Sequence, residues 1–416
     1  MTEEKESQLT VETNKFVHAI DSLVLTISMS MSALTDADKA AHGRFEKYLQ
    51  ERCDAHQKNG KTVYRARSHD YCHEIQEIET ELDRIHAGFA AVPRSFLVAL
   101  VSEYDAYLGG LIKALFYVRP ELLEASERSL TFAELCQFGS VDAAREYVLE
   151  KEIETLLRKS HVEQFEWLEK KFDLKLRVDL PVWPYFVELT ERRNLCVHND
   201  SIVSRQYVET CAKHGVKLDN ICAGHKLKVT PKYFEDAHRV VYEVAIKLGQ
   251  VLWRKVISKQ AEEADQCLLD LTFSLVNEKR YAIATELLNF ADTTLQKRHA
   301  SENNRITFLI NRALALYLAG KKEQSAQVLG TQDWSATKDV FKLAERVLRE
   351  DFETALTLMR RIGNSGFPHR ADYLHWPLFA TFRKTAQFPA VFKEIFGDPT
   401  HEQYELKEPR YRTGED

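Results

Sequence analysis

At 416 residues, 44% hydrophobic and 29% charged, the chain is long enough for two or three domains and apolar enough to bury a core, which excludes a disordered polypeptide. A net charge of −6 excludes a general polycation that coats nucleic acid, so any nucleic-acid site has to be a local patch. With 15 Gly and 10 Pro the chain is short of the turn formers an all-β fold needs, and seven scattered Cys, an odd number, fit reduced thiols of a cytosol-like compartment.

Hydrophobic spacing predicts an all-α chain, starting from a polar N-terminus without the layout of a signal peptide. An N-terminal helical region, 1–92, is expected to hold three helices. The first covers 11–33. The second starts at the N-cap candidate Thr35-Asp36 and runs toward Cys53. A polar turn, Lys58-Asn59-Gly60-Lys61, precedes the third, at 68–89, whose many acids read as a solvated face. The apolar run 20–34 is too short for a bilayer and contains Asp21, and the run 96–118 is interrupted by Glu103, Asp105 and Lys113. Both are expected to be buried helices of a soluble cytoplasmic protein, with no membrane segment.

Pro93 is expected to open a second unit, 93–258, as proline often does at a helix start. Helices are expected at about 93–117, 120–127, 141–158 and 160–171. A short one should follow the capping-box spacing of Thr131 and Glu134. The alternations at 174–178 and 227–229 suggest brief extended segments. Pro181 and Pro184 precede a helix at 185–199, and Thr230-Pro231 opens a long one at about 231–258. From 264 to 400 the pattern changes to helical pairs. Tyr281, Ala284, Leu288 and Ala291 are matched 71 positions later by Phe352, Ala355, Met359 and Ile362, with a weaker copy at Gly320-Lys321-Lys322 and Leu329. This spacing resembles tetratricopeptide repeats, in which small residues let two helices approach and large ones fill the groove. The aromatic run from Trp376 to Phe396 reads as a terminal helix sealing the repeats, and 401–416 as a polar tail.

The chemistry-bearing segment lies in the helix at 185–199. Phe186, Leu189, Cys196 and Val197 lie on or beside one face, and Arg193 falls on the same stripe, where a cation needs an anionic partner. Asn194 and His198, four apart, share the adjoining face near the helix end. These groups suit RNA cleavage without a metal. A neutral imidazole can take the proton of the 2′-hydroxyl, a guanidinium can grip the phosphate oxygens, and an amide can orient either. The products would be a 2′,3′-cyclic phosphate and a 5′-hydroxyl.

Arg193-Asn194-x3-His198 resembles the signature of the HEPN superfamily of ribonucleases. The resemblance spans about residues 93–256, with the motif as its specific part. It implies a HEPN-like helical bundle followed by the tetratricopeptide-like repeats, with Arg193, Asn194 and His198 as catalytic residues, no cofactor, RNA as substrate and a role as a toxin or anti-phage defence effector. It also implies a homodimer with a shared cleft. Helix geometry agrees, because Arg193 and His198 are about 140° apart around the axis and one helix need not present both to one phosphate. An acid on the upstream helix often approaches the motif in this family, which makes Glu103 or Asp105 a candidate partner for Arg193. The alternative for both acids is an ordinary solvent-facing position.

Cys211, His214, Cys222 and His225 form a doubled C-x2-H that could hold zinc, although the spacing differs from common zinc fingers and a fortuitous loop is the plainer reading. Cys53 with His56, and Cys72 with His73, are weaker pairs still. Residues 205–259 carry 11 Lys or Arg against 5 Asp or Glu, which could guide an RNA backbone or could be solvated helix charge. Tyr207, Tyr233, Phe234 and Trp253 read as core rather than as platforms for bases. The rival to an enzyme is a catalytically inactive HEPN-like dimerisation scaffold whose repeats, 264–400, bind a partner protein.

Overall fold

The computed structural model describes residues 7–123, 130–178 and 180–397. It is mostly helical and divides into two compact units, 1–264 and 265–416. The first unit opens with helix α1, Gln8–Arg52, which runs unbroken through Thr35-Asp36. Thr35 does not cap a new helix, because its hydroxyl donates to the Met31 carbonyl one turn back, as those of Ser22, Thr26 and Ser30 do to their own preceding turns. Strands β1, Cys53–Lys58, and β2, Lys61–Ala66, then form an antiparallel hairpin. Its turn residues Asn59 and Gly60 have φ of 54° and 74°, the left-handed pair that a two-residue hairpin turn needs.

Helix α2, His69–Val118, is capped by Ser68 and continues through Pro93. The start expected at Pro93 is therefore corrected. The ring is buried in the helix interior, where burial on both sides outweighs the missing N–H bond. N-terminal to it, Leu82 and Ile85 pack with Ala41 of α1. C-terminal to it, Leu97, Leu100, Tyr104, Leu108, Leu111 and Leu115 are buried. Helices α1 and α2 lie antiparallel. Phe16 stacks on Tyr107 at 4.6 Å, and Arg44 pairs with Glu81 at 2.6 Å.

Both helices are long and apolar enough to cross a membrane by length and composition. Of the apolar windows that meet this test, 11% is buried in α1 and 22% in α2. Within the α1 run 20–34, Ile20 and Ile27 are buried, whereas Leu25 and Met29 are exposed.

After a short 3-10 turn, Pro120–Leu123, come α3, Phe132–Leu135, α4, Val141–Leu157, and α5, His161–Phe172. Part of the helix expected at 120–127 lies outside the described residues. Thr131 and Glu134 cap α3 reciprocally, and Ser160 and Glu163 form the capping box of α5. Helix α6, Trp183–His198, α7, Arg205–Lys213, and α8, Pro231–Val256, complete the unit. Helix α8 is its core element, buried at Phe234, Val241, Ala245, Leu252 and Trp253, and it packs against α2 and α6. A Cβ on Gly249 would collide with the Tyr107 hydroxyl, so glycine sets the close approach of α8 to α2. Neither alternating segment forms a strand. Residues 174–178 are irregular, and Leu227 only donates to the Ser201 carbonyl beside a single bridge between Ile202 and Lys226.

The division between units falls within α9, Ala261–Asn277. The second unit continues with α10, Tyr281–Thr293, α11, Glu302–Leu318, α12, Lys322–Gly330, α13, Asp339–Leu348, and α14, Phe352–Ile362. One turn recurs in the links from α9 to α10, α11 to α12 and α13 to α14. Lys279, Gly320 and Glu350 take φ of 62°, 79° and 61°. In each case the next residue donates back across the turn: Arg280 to Leu275, Lys321 to Leu316, and Asp351 to Arg346. Ala284, Leu288, Ala291, Ala355 and Met359 are buried at the spaced positions. The expected single terminal helix is instead α15, Arg370–His375, two 3-10 turns and α16, Phe388–Phe396. Phe379, Phe382, Phe388 and Phe392 still pack ring against ring at its core.

Candidate functional site

Pro184 sits in the first turn of α6, where its missing N–H costs nothing. Trp183, Phe186, Leu189 and Leu195 then bury the inner face. Val197, expected on that face, is exposed, and Leu195 takes the inner position near the helix end. Arg193 is half-buried. Its Nη2 donates to Asp105 Oδ2 of α2 at 3.2 Å, while its Nε is buried with no hydrogen-bond partner among the described residues. Of the two upstream acids, Asp105 is the one that reaches the motif. Glu103 is half-buried and makes no ion pair among the described residues.

The other Asp105 oxygen lies 3.1 Å from Nε2 of His161, a residue the sequence reasoning missed. His161 is 5% exposed, packed edge-on against Phe186 and beside Tyr104. Its position could have been read from the Ser160–Glu163 capping box, which puts His161 in the first turn of α5 on the face of Gln164 and Phe165. A chain of His161, Asp105 and Arg193 therefore joins α5, α2 and α6. Glu191, two residues before the arginine, has its carboxyl pushed up by burial, opposed by the Arg193 charge.

Asn194 is half-buried and His198 is exposed, as the last residue of α6. The segment beyond is built to end the helix sharply. Asp200 and Ser201 take left-handed φ of 44° and 64°, and both Asn199 and Ser201 donate their backbone N–H to Leu195. Asp200 receives Arg94 Nη1 at 3.1 Å and Lys226 Nζ at 2.7 Å, which fasten the terminus to α2 and to the loop before α8. The Lys226 hydrogen bond, reinforced by its charge and by Arg94, holds the Asp200 carboxyl below the ordinary carboxylate range.

The opposite side of α6 carries a second polar cluster. Glu188 accepts from Arg192 Nε at 2.7 Å and from the hydroxyls of Tyr207 and Tyr233, each at 2.6 Å. Arg192 also donates to the Lys228 carbonyl at 3.1 Å and stacks over the Tyr233 ring at 4.1 Å. Burial first, then the Glu188 charge, raises both phenols above their usual range. Tyr207 is a core residue and Tyr233 is half-buried, with Glu188 as their unforeseen shared acceptor. A cavity of about 460 Å³ opens beside them, lined also by Leu189, Val216 and Ile221.

The four zinc candidates do not converge. Cys211 is buried among Leu195, Val203 and Tyr207, and burial pushes its thiol up to about 12. His214 packs edge-on against Trp183, and burial lowers its imidazole. Cys222 and His225 approach each other at 3.2 Å on the surface. Each half of the doubled motif thus has its own surroundings, and the four side chains do not form one cluster among the described residues. Much of the positive charge in 205–259 is paired internally, with Lys226 on Asp200, Lys232 on Asp236 and Glu235, and Lys247 on Glu243.

Compared with known protein families, curated proteins and solved structures, the chain matches none.

Proposed function

We propose that the chain is a metal-independent endoribonuclease of the HEPN type that cleaves RNA with Arg193, Asn194 and His198. The observation that carries this is the unequal setting of neighbouring arginines on α6. Arg192 is committed to Glu188, Lys228 and Tyr233. Arg193 is held from behind by Asp105, stays 20% exposed, and lies on the helix that ends in the exposed His198. A guanidinium fixed in this way keeps N–H groups for a phosphate.

In the proposed reaction His198 takes the 2′-hydroxyl proton and the 2′-oxygen bonds to the adjacent phosphorus. The P–O5′ bond breaks, and the 5′-oxygen takes up a proton, leaving a 2′,3′-cyclic phosphate and a 5′-hydroxyl. Arg193 meets the charge that grows on the non-bridging oxygens, and Asn194 orients the phosphate or the imidazole. The angular separation of Arg193 and His198 calls for a second copy, so the acting species is a homodimer with a composite site. The helical hairpins, tetratricopeptide-like in spacing and turn, restrain or recruit the nuclease. The protein acts in the cytoplasm as a toxin or antiviral defence effector, a setting compatible with the exposed thiols Cys72, Cys136 and Cys222.

The test is RNA cleavage in EDTA by wild type, Arg193→Ala and His198→Ala. Wild type should cleave and both variants should lose activity by at least about 100-fold. Variants as active as wild type would remove the site assignment.

One observation favours a second reading. The Arg193–Asp105–His161 chain also suffices as a structural tie between three helices. It is compatible with a catalytically inactive HEPN-like dimerisation scaffold whose repeats bind a partner protein. A wild type inert on every RNA offered, with candidate activators present, would establish that reading.

A further inference from the structure

We propose that Asp38, His42 and His86 bind a divalent transition-metal ion of zinc-like ligand preference, which staples the α1–α2 hairpin. Asp38 and His42 lie one turn apart on the same face of α1, and His86 projects from the antiparallel α2 opposite them. One carboxylate oxygen, Asp38 Oδ1, lies 3.3 Å from His42 Nδ1 and 3.0 Å from His86 Nε2. All three donor atoms fall within 4.8 Å of one another. Zinc held at about 2.0–2.1 Å by nitrogen and oxygen separates its tetrahedral ligands by roughly 3.3 Å. Both histidine-to-aspartate separations already match that edge. Only the two rings, with centroids 5.8 Å apart, need to close.

The donors are held by rigid backbone, in the middle of two long helices. They are also reachable, since both imidazoles are exposed and the carboxylate is half-buried. Among the described residues this is the one group of three or more His, Cys, Asp and Glu that converges in this way. His42 Nδ1 also lies 3.0 Å from the Asp38 carbonyl, a contact that metal binding exchanges for a stronger bond. The position gives the ion a purpose. The hairpin here has a thin core of Ala41, Leu82 and Ile85 with Leu34, Phe45, Ile78 and Phe89 at its edge, so a cross-link between the helices adds what apolar burial supplies sparingly. Two imidazoles and a carboxylate are borderline and hard donors, which suit zinc, cobalt or nickel rather than calcium or magnesium. Three protein ligands leave a fourth position for water or a small anion.

The experiment uses the full chain stripped with EDTA and titrated with zinc chloride by calorimetry, and separately with cobalt(II) by visible absorption. Wild type should take up one equivalent, with a cobalt spectrum showing nitrogen and oxygen ligation and a raised melting temperature. His42→Ala, His86→Ala and Asp38→Asn should each weaken binding by at least about tenfold, a loss already typical of removing a mere outer-shell partner. Because the three side chains are at the surface, the variants should melt like wild type in EDTA, which separates lost binding from lost folding. Cys222→Ser with His225→Ala should leave the titration unchanged. A wild type that binds no zinc, or a His42→Ala/His86→Ala double variant that binds it as wild type does, overturns the proposal.

Discussion

Asp105 presents one oxygen to His161 and the other to Arg193, so removing the carboxylate strands two partly or fully buried cationic or polar groups at once. Because Arg193 and Asp105 keep 20% and 25% exposure, solvent screens the pair, and Asp105→Ala is expected to destabilise the fold by about 1–3 kcal/mol rather than by the larger cost of a fully buried pair. Chemical denaturation measures this. A cost indistinguishable from that of a surface alanine would mean that the tie contributes nothing to stability. Adding His161→Ala to Asp105→Ala should cost less than the two single changes summed, since both break the same link. The need of Arg193 for an anion was legible, because a cation on an inner stripe is costly without one. The choice of Asp105 over Glu103 was not, because it depends on the rotation of α2 against α6. The capping box of Ser160 and Glu163 marks the helix turn on which His161 lies, but its pairing was hidden for the same reason as the choice of Asp105, since its partner lies 56 positions away.

Helix α6 is gripped on both sides and at its end, and the three grips should fail differently. Glu188 is the shared acceptor of Arg192, Tyr207 and Tyr233, and Glu188 and Arg192 are 13% and 12% exposed. Glu188→Ala should therefore cost about 3 kcal/mol or more by leaving Arg192 buried without its anion, while Tyr207→Phe or Tyr233→Phe costs about 1 kcal/mol. Equal losses from all three substitutions would contradict the network. At the helix end, the native Asp200 carboxyl titrates below its unfolded value, so its stabilising effect is fully present above the ordinary carboxylate range and is lost as pH falls through the lowered native value. Protection of the Ser201, Ile202 and Val203 amides, taken relative to the intrinsic exchange rate at each pH, should fall in that acidic window, and Asp200→Asn should lower it at neutral pH as well. Protection indifferent to both changes would show that the terminus is held by its backbone bonds alone. At this scale, caps were the most legible features, because Thr131 and Thr230 act through neighbours three residues on. Helix interruptions were the least legible. Thr35 and Pro93 carry local stop signals that hydroxyl back-bonding and tertiary packing override. The strands of 53–66 escaped notice because one face is not apolar, leaving only Asn59-Gly60 as a mark.

Each of the two units has its own buried core, with Trp253 and α8 in the first and Leu309, Phe379 and Phe382 in the second. A fragment of residues 1–260, ending at the Gln260 that accepts from Trp253 Nε1, is expected to fold alone, with a helical spectrum and a single cooperative melt. A fragment that stays unfolded would make the first unit dependent on the second. The hairpin spacing of small and large residues begins near 264 in the sequence, whereas only packing shows that α2 runs through Pro93. The chemistry proposed for the whole molecule rests on His198 acting as a base at the end of α6 without a metal. The most direct measurement is the chemistry of the RNA ends made by the full-length protein in EDTA. Wild type should leave 2′,3′-cyclic phosphate and 5′-hydroxyl ends, and a His198→Ala variant that melts like wild type should leave neither. Ends bearing 3′-hydroxyl and 5′-phosphate, or cleavage that persists unchanged in His198→Ala, would contradict this mechanism.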